Sequence, residues 1–306
     1  MGNVATNKDQ QVEKLKERGM TLDMEESKVK EILLDIGYYR LGFYWHPFEL
    51  DENHKFREGT KFSDALNLYY LDVDLRNTLI RFINRIEINF RTKVVYYVSN
   101  KYKKSPTWFI DPTVMSQDFI KNIAKHYDDD FKINNKPIKL HHIKYINDKY
   151  APAWKTLEFF TFGTVLKIYK NLLDESIKKR ISEEFGVKNI DKFINLIGTI
   201  VFIRNVCAHG GVLFDTKMPK GIAVLPGLSF NNNNRHSLDS AIKVILFMLD
   251  SISSNRKNDL ESELIDLFNG HVVSPVIKGV IEQEIGYVYE DVANLSEEVA
   301  SNKEIT

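Results

Sequence analysis

The chain has 306 residues, 43% of them apolar, with 42 Lys and Arg set against 42 Asp and Glu. That is enough for one large or two medium domains, and zero net charge excludes a general nucleic-acid coat protein, whose affinity rests on a basic excess. A lone cysteine, Cys207, excludes a disulfide framework and points to a reducing compartment, the cytoplasm. No apolar run is long enough to span a bilayer, and the N-terminal stretch MGNVATNKDQ holds no signal-peptide core.

Residues 1–20 are polar and are expected to form a flexible tail with a short helix over 11–18. Thr21 is placed to cap a helix that runs to Ile36 and stops at Gly37. The next stretch, IGYYRLGFYWHPFEL (36–50), crowds aromatic side chains around Arg40 and His46. Such a stretch either plugs the core at an elbow between helices or, through residues such as Tyr39 and Arg40, offers a platform that stacks RNA bases.

A polar loop covers 51–61, and Ser63 can cap the next helix. The spacing predicts a long helix over 72–102, because Leu75, Leu79, Phe82, Ile86, Phe90 and Val94 recur at three- and four-residue steps. Glu87 and Arg91 stand four apart with the favourable polarity. They read as a solvated ion pair of small worth. If they face the helix over 189–209 instead, Glu87 would orient Arg204 or His209.

A helix is expected over 117–127, closed by a solvated loop at Asp128–Asp130, whose spacing matches no calcium loop. A basic segment occupies 136–149. Its neighbouring His141 and His142 would chelate poorly from one helix, which favours a solvated or core role. Pro152 breaks the chain before an aromatic helix pair over 154–173, with Thr161 as internal cap, and an amphipathic helix over 176–185 ends at Gly186.

The stretch around which the rest is organised is NIDKFINLIGTIVFIRNVCAHGGVLFD (189–215). Ile194, Ile197, Val201, Arg204 and Ala208 follow one helical face, while Asn205 and His209 share a neighbouring one. Arg204 and His209 are about 140° apart around the axis and about 7.5 Å along it, so long side chains can converge on one groove. Burying such polar groups costs stability unless they are paired or used. Histidine exchanges protons near neutral pH, and arginine grips planar oxyanions such as phosphate. Together they suit RNA phosphodiester cleavage, in which the 2′-hydroxyl is the internal nucleophile and no metal is needed. The alternative is purely structural: an arginine bonded to helix-end carbonyls and a histidine set against the helix dipole. Cys207 reads as a buried packing residue.

After this stretch comes a loop of some 25 residues, long enough to suggest a mobile cover over a site. Helices are expected over 238–252, 257–268 and 275–285, then an acidic tail over 286–306. The sequence shows no strand alternation, internal repeat or metal-binding motif, so the expected class is all-α, with one domain over 21–285.

Four segments in order, GYYRLGFYWHPF (37–48), LDVDLRNTLIRFINRIEINFRT (71–92), PAWKTLEFFTFGTVLKIY (152–169) and IRNVCAHGGVLFD (203–215), resemble the AbiD/AbiF-like abortive-infection proteins of the HEPN superfamily. The resemblance implies a HEPN-like helical bundle with peripheral helices. It also implies a metal-independent endoribonuclease toxin without cofactor, acting in bacterial phage defence. Its Arg-x4-His motif falls on Arg204 and His209, with Asn205 as the auxiliary polar residue. Two such motifs meet across a homodimer in that superfamily, cleavage leaves a cyclic phosphate, and some relatives are neutralised by an RNA or protein antitoxin. Here Gly210, Gly211 and Val212 stand where many members carry a second histidine and an arginine. Glu87, Arg91, Tyr39 and Arg40 are the candidates for RNA contact or support. A non-catalytic module of the same fold that binds RNA or protein is the competing expectation.

Overall fold

The computed structural model describes residues 4–50, 52–272 and 274–289. Asn7 opens α1 (Lys8–Glu17) with a reciprocal cap, its side chain accepting from the Gln10 N–H while Gln10 accepts from the Asn7 N–H. Val12 and Leu15 of α1 are fully buried. Within the stretch expected as a tail over 1–20, one narrow apolar edge on a polar helix is enough to dock α1. α2 (Glu26–Ile32) begins later than Thr21 allows, because Thr21 is engaged in an extended pairing, donating to Thr60 O and accepting from Phe62 N–H. The chain widens into a π-turn at Leu33–Gly37 before α3 (Tyr38–Trp45), whose Leu41, Tyr44 and Trp45 face inward.

α4 (Phe62–Lys101) has 40 residues, about 60 Å of helix. It starts at Phe62 rather than Asp72. The Asp64 carboxylate accepts the Lys61 N–H at 3.1 Å, whereas Ser63 is not the cap and turns to Asp23. Its stripe of Leu68, Leu75, Leu79, Ile86, Phe90 and Val94 is buried as the spacing requires. α4 packs against α3 and against every helix from α8 onward, so it is the axis of the molecule.

A side unit comes next. α5 (Gln117–Lys121) is short, and Asp128 caps α6 (Asp129–Asn134) by accepting the Phe131 N–H, so the three aspartates open a helix rather than close one. In α7 (Lys136–Lys144) His141 is buried against Asp148, while His142 donates from Nδ1 to the Asp148 carbonyl and accepts the Tyr127 hydroxyl at Nε2. Both histidines are structural. α8 (Ala153–Phe159) and α9 (Phe162–Asn171) are joined at Thr161, which caps α9 as its position requires. α10 (Glu175–Glu183) leads to Gly186, which sits at φ +73°.

α11 (Ile190–Ala208) is capped by Asn189 and lies beside α4 and α9. Phe90 of α4 meets Phe162, Tyr169, Phe185 and Phe193 there, an aromatic knot that sets the α4–α9–α11 spacing. The loop after α11 is packed, not mobile cover. It buries Met218, Ile222 and Leu228, Arg235 donates to Ile222 O, His236 holds Met218 O, and Asn231 donates to Asp239 and Gly286 O. α12 (Leu238–Asp250), α13 (Ser254–His271) and α14 (Pro275–Val280) close the bundle, and Tyr287 stacks on Phe268 at 4.2 Å. The rest of the expected acidic tail, 290–306, lies outside the described residues. Among the described residues there is no strand beyond isolated bridges, and no helix is long and apolar enough to cross a membrane. The fold is all-α.

Because Leu15 is fully buried, Leu15→Ala is expected to lower unfolding free energy by about 2–4 kcal/mol in urea titration; an unchanged midpoint would show that α1 does not dock.

Candidate functional site at the α4–α11 seam

The end of α11 is shaped by two glycines. His209 is the C-cap, Gly210 takes the left-handed conformation at φ +64°, and the Gly211 N–H returns to Val206 O at 2.9 Å while Gly210 N–H bonds Cys207 O. A β-carbon on Gly211 would lie 3.0 Å from Val206 Cγ1 and 3.3 Å from Val206 O, so a larger residue there would crowd the close turn. The turn leaves His209 exposed at the helix end, with no side-chain hydrogen bond to any described residue.

Arg204 reaches into the seam. Its Nε lies 3.4 Å from Glu87 Oε2, and its side chain is 30% exposed. Glu87 and Arg91 are both buried and bonded at 2.7 Å, and Arg91 also donates to Phe160 O. The solvated reading of this pair is therefore corrected. Glu87 faces α11 and holds Arg204, not His209. Two guanidiniums share one carboxylate, so the cluster keeps a positive charge, and Arg204 retains outward donors. Arg91 Nε is buried without a hydrogen-bond partner.

The buried face of α11 runs through Phe193, Ile197, Ile200, Ile203 and Cys207 rather than along the expected Val201–Arg204–Ala208 line. Arg204 lies at its edge, and Ala208, Asn205 and His209 are exposed. The expected desolvation of Asn205 and His209 does not occur, since the helix ends at the surface. Asn205, expected to fix the geometry of the pair, makes no side-chain hydrogen bond to a described residue. Burial pushes the Cys207 thiol up to about 12, which suits a packing role.

A second cluster escaped the sequence reading. Asp72 is fully buried. Its Oδ1 accepts the Leu213 and Phe214 N–H groups at 2.8 and 2.7 Å, and its Oδ2 accepts the Tyr44 hydroxyl at 2.8 Å and Arg76 Nε at 3.1 Å. Arg40 donates to the Tyr44 oxygen at 3.2 Å and lies over its ring. Asp72 thus ties α3, α4 and the turn after His209 together. The available signal was the spacing: Asp72 and Arg76 stand four apart, as Glu87 and Arg91 do. Tyr39 is exposed on the neighbouring face of α3, in edge contact with Phe43. Among the described residues, no group of three or more His, Cys, Asp or Glu side chains is arranged to hold a metal ion.

The Abi-like protein family matches residues 31–215, from α2 through the turn that Asp72 holds. The chain belongs to the Abi-like protein family. No curated protein and no solved structure matches it. The Abi-like segment contains both carboxylate clusters and the whole of α11, and it ends where the Asp72 contacts end.

Glu87→Ala leaves two guanidiniums facing each other across the seam, and is expected to destabilise by about 3–5 kcal/mol in denaturant titration; a loss below about 1 kcal/mol would mean that the pair is solvated after all. Cys207 is expected to resist iodoacetamide at pH 8 in the native protein and to react fully in urea, read by intact mass; rapid native labelling would contradict its burial.

Proposed function

We propose that this Abi-like protein is a HEPN-type endoribonuclease, close to the AbiD/AbiF-like proteins, that acts as a toxin in abortive-infection phage defence. The observation that carries the proposal is the arrangement of Arg204 and His209. The first is anchored by a buried carboxylate yet partly exposed, and the second is exposed at the end of the same helix.

In the reaction, a base removes the proton of the ribose 2′-hydroxyl and O2′ bonds to phosphorus. The P–O5′ bond breaks, and a proton goes to O5′. The products carry a 2′,3′-cyclic phosphate and a 5′-hydroxyl, and the atoms balance without a co-reactant. His209 serves as the base or the acid. Arg204, in a cluster with one charge uncompensated, stabilises the charge that builds on the phosphoryl oxygens. One imidazole holds one of the two proton-transfer roles at a time. The His209 ring also has no orienting side-chain partner among the described residues, so a second copy of the motif across a homodimer completes the site in this reading. An RNA or protein antitoxin, binding where RNA binds, would hold such a toxin in check.

The same free ring supports a second reading, a module that holds RNA or a protein without cutting. One experiment separates the two. Purified protein is incubated with RNA and a chelator, and the product ends are analysed. Cyclic-phosphate ends that fall by about 10²–10⁴-fold in Arg204→Ala and His209→Ala, with unchanged circular dichroism, are the expected result. Equal cleavage by the variants would remove both residues from the chemistry, and RNA retention without cleavage would favour the binding module.

A further inference from the structure

The Asp72 cluster does more than brace the turn. Arg40 and Arg76 lie on either side of Asp72, linked through Tyr44 by successive hydrogen bonds of 3.2, 2.8 and 3.1 Å. Among the described residues, neither arginine is paired with any other carboxylate. Asp72 is saturated by protein donors and bonds directly to Arg76 alone, with Arg40 joined through Tyr44, so the cluster holds two guanidiniums and one carboxylate. The Arg76 Nη1 lies 3.6 Å from where a β-carbon on Gly210 would sit, which puts that guanidinium beside the turn that carries His209.

The adjoining face of α3 is aromatic and open. Tyr39 is 82% exposed and Phe43 is 40% exposed, and their rings meet edge to face at 5.3 Å. Four residues apart on one helix, they present neighbouring apolar surfaces to solvent next to a cationic pair. Paired guanidiniums match the planar oxygens of a phosphodiester, and an exposed aromatic pair matches an unpaired nucleobase. A duplex hides its base faces, so this combination favours a single strand.

We propose that Tyr39, Phe43, Arg40 and Arg76 form a subsite for a nucleotide flanking the cleaved bond of single-stranded RNA. Arg40 and Arg76 hold the phosphate next to the one at His209, and Tyr39 and Phe43 stack the base. Tyr44 and Asp72 position the two arginines and touch no substrate. The subsite rests on the ribonuclease reading for its place beside the cut, but its binding does not depend on cleavage.

The test uses the full-length His209→Ala protein, which retains the whole surface, and fluorescence anisotropy with a labelled 12-nucleotide oligouridylate. In that background, Tyr39→Ala with Phe43→Ala is expected to weaken binding about tenfold. Arg40→Gln is expected to weaken it and to flatten its salt dependence. Arg76→Lys keeps a cation beside Asp72 while removing the fork, and is expected to weaken binding while leaving its salt dependence unchanged. An abasic oligomer of equal length should respond to the arginine changes and ignore the aromatic ones. Equal affinity of the aromatic variants for the oligouridylate would overturn the subsite, as would equally tight binding of duplex RNA or no RNA binding at all. The two readings fail separately. A wild type that cuts RNA while the aromatic and arginine variants keep its KM sinks the subsite alone. RNA binding with the expected variant pattern but no cyclic-phosphate ends sinks the ribonuclease alone.

Discussion

The carboxylate of Asp72 is the constraint on which the candidate site depends. An ionised group sealed from water costs several kcal/mol unless the protein supplies its hydrogen bonds. Here a phenol, two backbone amides and a guanidinium supply them, and they come from three separate places: α3, the turn after α11, and α4 itself. Those parts cannot shift independently without exposing a charge to an apolar interior. Burial still pushes the Asp72 carboxyl above its ordinary range, against the pull of its donors. It also pushes the Tyr44 hydroxyl up, so Tyr44 remains a donor at neutral pH. The aromatic stretch at 38–48 and the motif at 204–209, far apart in sequence, are held in one place by this group.

Glu87 repeats the device further along the same helix. The two carboxylates are about 22 Å apart along α4, and about 60° apart around it, so both look toward α11 and the turn at its end. Only an unbroken helix can keep them in that relation, which explains why α4 carries no proline or glycine over its 40 residues. Glu87 serves two guanidiniums directly, and Asp72 serves Arg76 directly and Arg40 through the Tyr44 hydroxyl. The chain as a whole is neutral. The seam is not, and at ordinary ionic strength a charge is felt over about 10 Å, so local excess rather than net charge governs what approaches.

Much of the fold was legible because its signals are local. The stripe of α4, the Thr161 cap, the stop at Gly186 and both ends of α11 follow from spacing and from capping residues within a few positions. The features that could not be read depend on distant partners. The start of α4 rests on Asp64, while Ser63 is drawn off by Asp23, forty residues away in the chain. α1 looks like a tail because Val12 and Leu15 are its whole buried surface. The loop after α11 looks mobile until Arg235, His236 and Asn231 are seen bonded to their neighbours. At the site, Arg204 was legible as a charged residue on an apolar helix, though read onto its buried face rather than the edge where it lies, and Glu87 as its conditional partner. Asp72 and Arg76 were not, although the acid-to-arginine spacing of four that marked Glu87 and Arg91 occurs there as well. The assumption that failed was burial of Asn205 and His209, since periodicity alone does not say how far a helix end lies from solvent.

Exposure changes what His209 can do. A histidine locked by a carboxylate has its tautomer and direction set before any ligand arrives. His209 has a fixed backbone, held by a left-handed glycine and by the Asp72 contacts just beyond it, and a ring that no described side chain holds. The protein therefore fixes where the imidazole is and leaves its orientation to whatever faces it: a substrate oxygen, a neutralising partner or a second copy. Arg204 is the opposite case, with its direction set by Glu87 and its tip still open to solvent. In the proposed ribonuclease, a pair in which the charge is preset and the proton carrier is not has little reason to react until a phosphate has docked on the arginine.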